Sequence, residues 1–183
     1  MFSLNIPLPP KISQLTSSLH AELMAFDNRR ERQTLVLKRF ETDTTTPRGG
    51  QISADISLPV LRERLRPILT SSTTPNQIEV SITGIDFFEN PPGGTAPVVY
   101  LAVESQSLMT LHNYLCKSFD AIAGLEGSDY VPHVTLARGG ETADAVQFIK
   151  QRSIDPIKWS VNTLQIWDNR YRENAAQINL SAR

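Results

Sequence analysis

The stretch Tyr130-Val131-Pro132-His133-Val134-Thr135-Leu136-Ala137-Arg138-Gly139-Gly140 constrains this chain more than any other. It reads as a short strand. Successive strand side chains point to opposite faces, so His133 and Thr135 share one face while Val134 and Leu136 share the other. The aliphatic pair suits a core. The polar pair suits a cleft, where an imidazole that titrates near neutral pH beside a hydroxyl is equipment for handling a phosphate. On the pattern alone a second reading stays open, a core histidine whose ring nitrogens are satisfied by neighbours.

The chain has 183 residues, enough for one sizeable domain or two small lobes, and no linker is evident. A net charge of −1 provides no global basic field, so any nucleic-acid contact must be local, at an end or a few phosphates rather than along a duplex. The single cysteine, Cys116, excludes an intrachain disulfide framework and fits a reducing cytosol. The first residues carry neither a basic segment nor a long apolar run, and no later segment is apolar enough to span a bilayer. A cytoplasmic monomer without a membrane partner is expected.

Strands are predicted over 2–8, 32–40, 77–88, 97–104, 157–167 and 175–181, in addition to the His133 strand. Helices are predicted over 11–26, 58–69, 106–122 and 142–152, the second with Pro59 at its start. Residues 41–57, rich in Thr, Gly and Asp, read as a long loop or irregular extended segment. Asn90-Pro91-Pro92-Gly93-Gly94 is a turn cluster, and 168–174 is the loop of a closing hairpin. Mixed strands and helices with hairpins argue for α+β or layered α/β, with antiparallel pairs and helices packed on one side. His20 and His112 read as outer helix residues and Cys116 as a small buried hydrophobe. No metal-ligand spacing and no phosphate-binding glycine loop occurs.

A fainter copy of the central motif lies in the first half. Setting Thr34 on Thr135 and Leu35 on Leu136 places Arg32 on His133 and Gln33 on Val134. By alternation Arg32, Thr34, Val36 and Lys38 then share one face.

His133-x-Thr135, after Tyr130-Val131-Pro132 and before Ala137-Arg138, resembles the second signature of the 2H phosphoesterase superfamily, which includes 2′-5′ RNA ligase-like proteins and cyclic phosphodiesterases. The resemblance covers nearly the whole chain, including the strand ending Val98-Val99-Tyr100-Leu101-Ala102-Val103 and the helix with Leu111-His112. It implies an α+β, bilobal fold: two pseudo-symmetric antiparallel sheets with outer helices around a central cleft, forming one domain of two interleaved lobes. It further implies two His-x-Thr/Ser motifs, one per lobe, with one His as general base, the other as general acid, and the hydroxyls holding phosphate oxygens. No metal or cofactor is required. In-line displacement at phosphorus needs proton transfer on both the attacking and the leaving side, which is why the motif is doubled.

The first motif departs from the pattern, with Arg32 where a His belongs, or Gln33 if the register slips by one. Arg stays protonated and Gln does not titrate, so neither replaces a general base. Arg32 retains the forked donors of a phosphate clamp. The expected site is therefore His133, Thr135, Thr34 and Arg32, with Gln33, Lys38, Tyr130, Arg138 and Tyr171 as supporting contacts, the tyrosines as stacking surfaces for a base. Three functions compete: a 2H-type phosphoesterase acting on 2′,3′-cyclic phosphates or 2′-5′ linkages; a module that binds a nucleotide or RNA terminal phosphate without turnover; and a scaffold with an empty cleft.

Overall fold

The computed structural model describes residues 1–40 and 56–180. The long segment expected at 41–57 falls almost entirely outside them. The described residues form β1 (Phe2–Ile6), α1 (Pro10–Ser18), β2 (Asn28–Arg29), β3 (Leu35–Phe40), α2 (Leu58–Leu69), β4 (Ile78–Phe88) and β5 (Val98–Glu104). After these come α3 (Gln106–Ser118), β6 (His133–Arg138), α4 (Thr142–Gln151), β7 (Ile157–Val161), β8 (Thr163–Asp168) and β9 (Glu173–Asn179).

Eight strands line up in the order β7-β4-β5-β6-β3-β1-β8-β9, and β2 adds to β6 from the side. Every pairing is antiparallel. The two expected sheets are thus the two halves of one path, β7-β4-β5-β6 and β3-β1-β8-β9. They meet where Leu35 of β3 stands opposite Val134 of β6. The halves are interleaved in sequence, because the C-terminal β8, with β9 at its far side, returns to pair with the N-terminal β1. The fold is α+β, as expected.

An antiparallel pair has a local two-fold axis between its facing residues, so Leu35 and Val134 are equivalent, and so are the residues that follow each of them. The strands next to the junction obey this relation, β1 answering β5 and β8 answering β4. Strand β3 has an irregularity opposite Leu4/Asn5, which leaves Leu37 as the extra residue between Val36 and Lys38. Strand β6 has one opposite Val99/Tyr100, which leaves Leu136 extra between Thr135 and Ala137. A bulge shared by a pseudo-symmetric pair re-aims the same side chains on both sides. Leu35, Leu37, Val134 and Leu136 are all fully buried in one shared core.

Helix α3 begins at Ser105, whose hydroxyl accepts the Leu108 amide at 3.1 Å. Leu108, Leu111, His112 and Leu115 are its buried face. It ends at Ser118, earlier than predicted, and Phe119 turns to pack edge-on against Phe40 at 4.8 Å. The first helix also stops early. The hydroxyls of Ser17 and Ser18 bond back to the Ser13 and Leu15 carbonyls, offering the backbone an alternative to further helix, and only a short 3-10 turn over Glu22–Ala25 follows. The strand expected at 157–167 is two strands. Strand β7 pairs with β4 in one half, whereas β8 pairs with β1 in the other.

Candidate functional site: an arginine-lined cleft over the β3–β6 junction

The two-fold junction floors a cleft of about 770 Å³. Its lining includes Thr34, Val36 and Arg39 from the β3 side, and His133, Thr135 and Arg138 from β6. These six are three equivalent pairs. Thr34 matches His133, Val36 matches Thr135, and Arg39 matches Arg138. The register expected from sequence is corrected by two residues. Arg32 does not occupy the position of His133; Thr34 does, and an aliphatic residue stands where the second threonine of a doubled motif would be. Matching Leu37-Lys38-Arg39 to Leu136-Ala137-Arg138 would have revealed this, but the Thr-Leu identity pulled the comparison out of step.

The bulges explain the other departures. Simple alternation puts Lys38 on the cleft face, but the extra residue at Leu37 turns it inward. Lys38 is 1% exposed, and its ammonium donates to Glu126 at 2.5 Å and to the Arg39 and Asp120 carbonyls at 2.8 and 2.9 Å. It is a buried tie between β3 and the 120–126 loop, not part of a cleft patch. The same bulge delivers Arg39 to the cleft, and the one at Leu136 delivers Arg138. The Arg138 guanidinium donates to the Gly93 carbonyl at 3.1 Å. Gly94, at φ 81°, lets the predicted turn come this close, since a Cβ there would lie 2.9 Å from the guanidinium. The Arg138 Nε is buried and has no hydrogen-bond partner among the described residues.

His133 meets the expectation of a cleft histidine. One ring nitrogen, Nδ1, lies 2.7 Å from the Val131 carbonyl, which accepts only from a protonated nitrogen. That contact holds Nε2 in the acceptor state. Burial pushes the imidazole below its ordinary range, the Val131 contact opposes this, and the positive charges of Arg39 and Arg138 add to it. The ring is therefore neutral at pH 7, and Phe88 and Tyr100 pack against it at 5.1 and 5.3 Å.

Arg32 lines the cleft at its exposed rim, where it donates to the Arg172 carbonyl at 2.8 Å and lies 5.3 Å over the Trp167 ring. The cleft thus brings together Arg32, Thr34, His133, Thr135 and Arg138. Gln33 is turned away and donates to the Arg30 carbonyl. Tyr130 borders the cleft but is not a stacking surface. It is 7% exposed, its ring lies flat on His112 at 3.8 Å, and its hydroxyl donates to the Val36 carbonyl. Tyr171 is largely exposed and borders a separate hollow beside Arg170.

Sequence reasoning missed Arg30, Arg39, Arg172, Phe88 and Trp167, all of which line the cleft. Among the described residues that line it, five arginines face two carboxylates, Glu31 and Asp129. Burial, together with Arg30 and Arg39, pushes the Arg138 guanidinium below its usual range. Guanidiniums that outnumber the carboxylates around them favour an anion.

The sequence matches the 2′-5′ RNA ligase superfamily over residues 34–173. The chain belongs to that superfamily. Among solved structures it is similar to the crystal structure of TT0787 of Thermus thermophilus, with a TM-score of 0.57 at 13% identity over 98% of this chain and 97% of that one. No curated protein matches it. The family model begins at Thr34, the residue equivalent to His133.

Proposed function

We propose that the cleft binds the terminal phosphate of a nucleotide or RNA, and that this chain is a 2H-type member that has kept one of two proton-transfer positions. The observation that carries this reading is that Leu35 stands opposite Val134, which makes Thr34 and Val36 the two-fold equivalents of His133 and Thr135 in the cleft. A threonine does not exchange protons near neutral pH, and valine offers no hydroxyl to a phosphate oxygen. The arginines remain to hold the anion, with Thr135 and Arg138 on the intact side. One reduced cysteine fits a reducing compartment such as the cytoplasm.

A second reading, slow phosphoesterase activity on 2′,3′-cyclic phosphates or 2′-5′ linkages, draws on one observation. The free Nε2 of a neutral His133 is the form a general base takes.

The test compares wild type with His133→Ala and with the double substitution Thr34→His, Val36→Thr. Wild type should bind 2′,3′-cyclic nucleotides and short 2′-5′ oligonucleotides, and the double variant should turn them over roughly 10²–10⁴-fold faster than wild type. Wild-type turnover that His133→Ala abolishes and the double variant does not raise would replace the binding reading with the second one. Absence of binding to any of these ligands would sink both.

A further inference from the structure

The two-fold relation extends beyond the motif strands to two aromatic residues. On one half, Arg39 of β3 stands opposite Ser3 of β1, and Ser3 stands opposite Trp167 of β8. On the other half, Arg138 of β6 stands opposite Val98 of β5, and Val98 stands opposite Phe88 of β4. Directly opposed residues in antiparallel strands project to the same face. Each half therefore presents one row, aromatic to small residue to arginine, crossing three adjacent strands. Trp167, Phe88, Arg39 and Arg138 all line the cleft.

From these rows we propose that Trp167 and Phe88 are paired base-stacking platforms, and that the ligand is a dinucleotide unit or the last two nucleotides of a strand. The bridging phosphodiester would lie at the junction between Arg39 and Arg138. This rests on the function proposed above and refines it: the phosphate held is the one that joins the last two nucleotides, rather than a free terminal monoester. Within each row the aromatic is two strand spacings from the arginine, roughly 10 Å, a separation on the scale of one nucleotide from base to phosphate. Both rings are partly exposed, and each is braced by a neighbour. Phe88 stacks on Tyr100 at 4.2 Å, and Trp167 lies beneath Arg32. Aromatic faces accept any base, so this arrangement selects for two bases around a phosphate rather than for their identity. The cleft volume is near the upper part of the usual small-ligand range of roughly 300–1,000 Å³. Only the chemistry is asymmetric. A bound unit would have one sugar–phosphate side at His133 and Thr135, the other at Thr34 and Val36.

Isothermal titration of wild type with 3′-5′-linked diadenosine monophosphate and with AMP tests the idea without any variant. The dinucleotide should bind about tenfold more tightly or better. Trp167→Leu and Phe88→Leu should each remove most of that advantage, and circular dichroism should verify that each variant is folded. If AMP binds as tightly as the dinucleotide, or if neither folded variant changes their ratio, the paired-platform inference is overturned while phosphate binding stands. If neither ligand binds, this inference falls together with the function it rests on.

Discussion

His112 illustrates what a single buried titratable residue does here. Its Nδ1 lies 2.8 Å from the Leu37 carbonyl, and its Nε2 accepts the Gly127 amide at 2.9 Å. That pairing admits only the neutral ring protonated at Nδ1. Burial is the main cause that lowers its pKa, with the Leu37 contact and Glu126 opposing and Lys38 and Arg39 reinforcing. Because the folded value lies below the unfolded value of about 6.5, its stabilisation is complete above that pH and declines as pH falls toward the folded value. His133 shifts in the same direction. The urea midpoint should therefore drop between pH 7 and pH 5. His112→Ala should weaken that dependence while leaving the Leu37 carbonyl and Gly127 amide unpaired, each costing about 1–3 kcal/mol. A midpoint unchanged across this interval would contradict the assignment.

Among the elements, β3 is held in register by more than its strand partners. Glu126 accepts from the Lys38 ammonium and from the amides of Arg39 and Ile122, fastening β3 to the loop after α3. Both charges are essentially out of water. Lys38→Met strands a hydrogen-bonded carboxylate in the interior, so it should cost about 3–5 kcal/mol in chemical denaturation. The substitution also tests the bulge. Were Lys38 facing the cleft, its replacement would cost under about 1 kcal/mol of stability and would instead weaken phosphate binding. The bulge was the part of this element that sequence did not disclose. Alternation placed Leu35 in the core and Thr34 at the cleft correctly, and then lost phase at Leu37, whose extra backbone position leaves no mark on the side-chain pattern.

At the scale of the whole molecule, charge is distributed against its average. A chain of net charge −1 lines one cleft, among its described residues, with five arginines and two carboxylates. Anion binding should then weaken with ionic strength even though the protein as a whole is nearly neutral. For each phosphate held, affinity should fall about threefold between 50 and 200 mM salt, measurable by titration of a dinucleotide at both salts. A salt-independent affinity would remove the arginines from the binding account. No helix among the described residues is long and apolar enough to cross a membrane.

The sequence by itself determined the class of fold and half of the site. A strand with His133 and Thr135 on one face and Val134 and Leu136 on the other has few ways to be buried, and the order of periodic segments leaves little choice but an α+β architecture. Only the tertiary structure decided which residues answer His133 and Thr135 across the axis, because that depends on register. Register is set where Leu35 meets Val134 and is propagated through two matching bulges. It also decided that arginines from separate strands and loops converge, and that Phe88 and Trp167, 79 positions apart in the chain, line the same cleft, each in a row with one of them. Local periodicity reports which face a side chain takes, whereas which faces meet is a property of strand pairing over the whole chain.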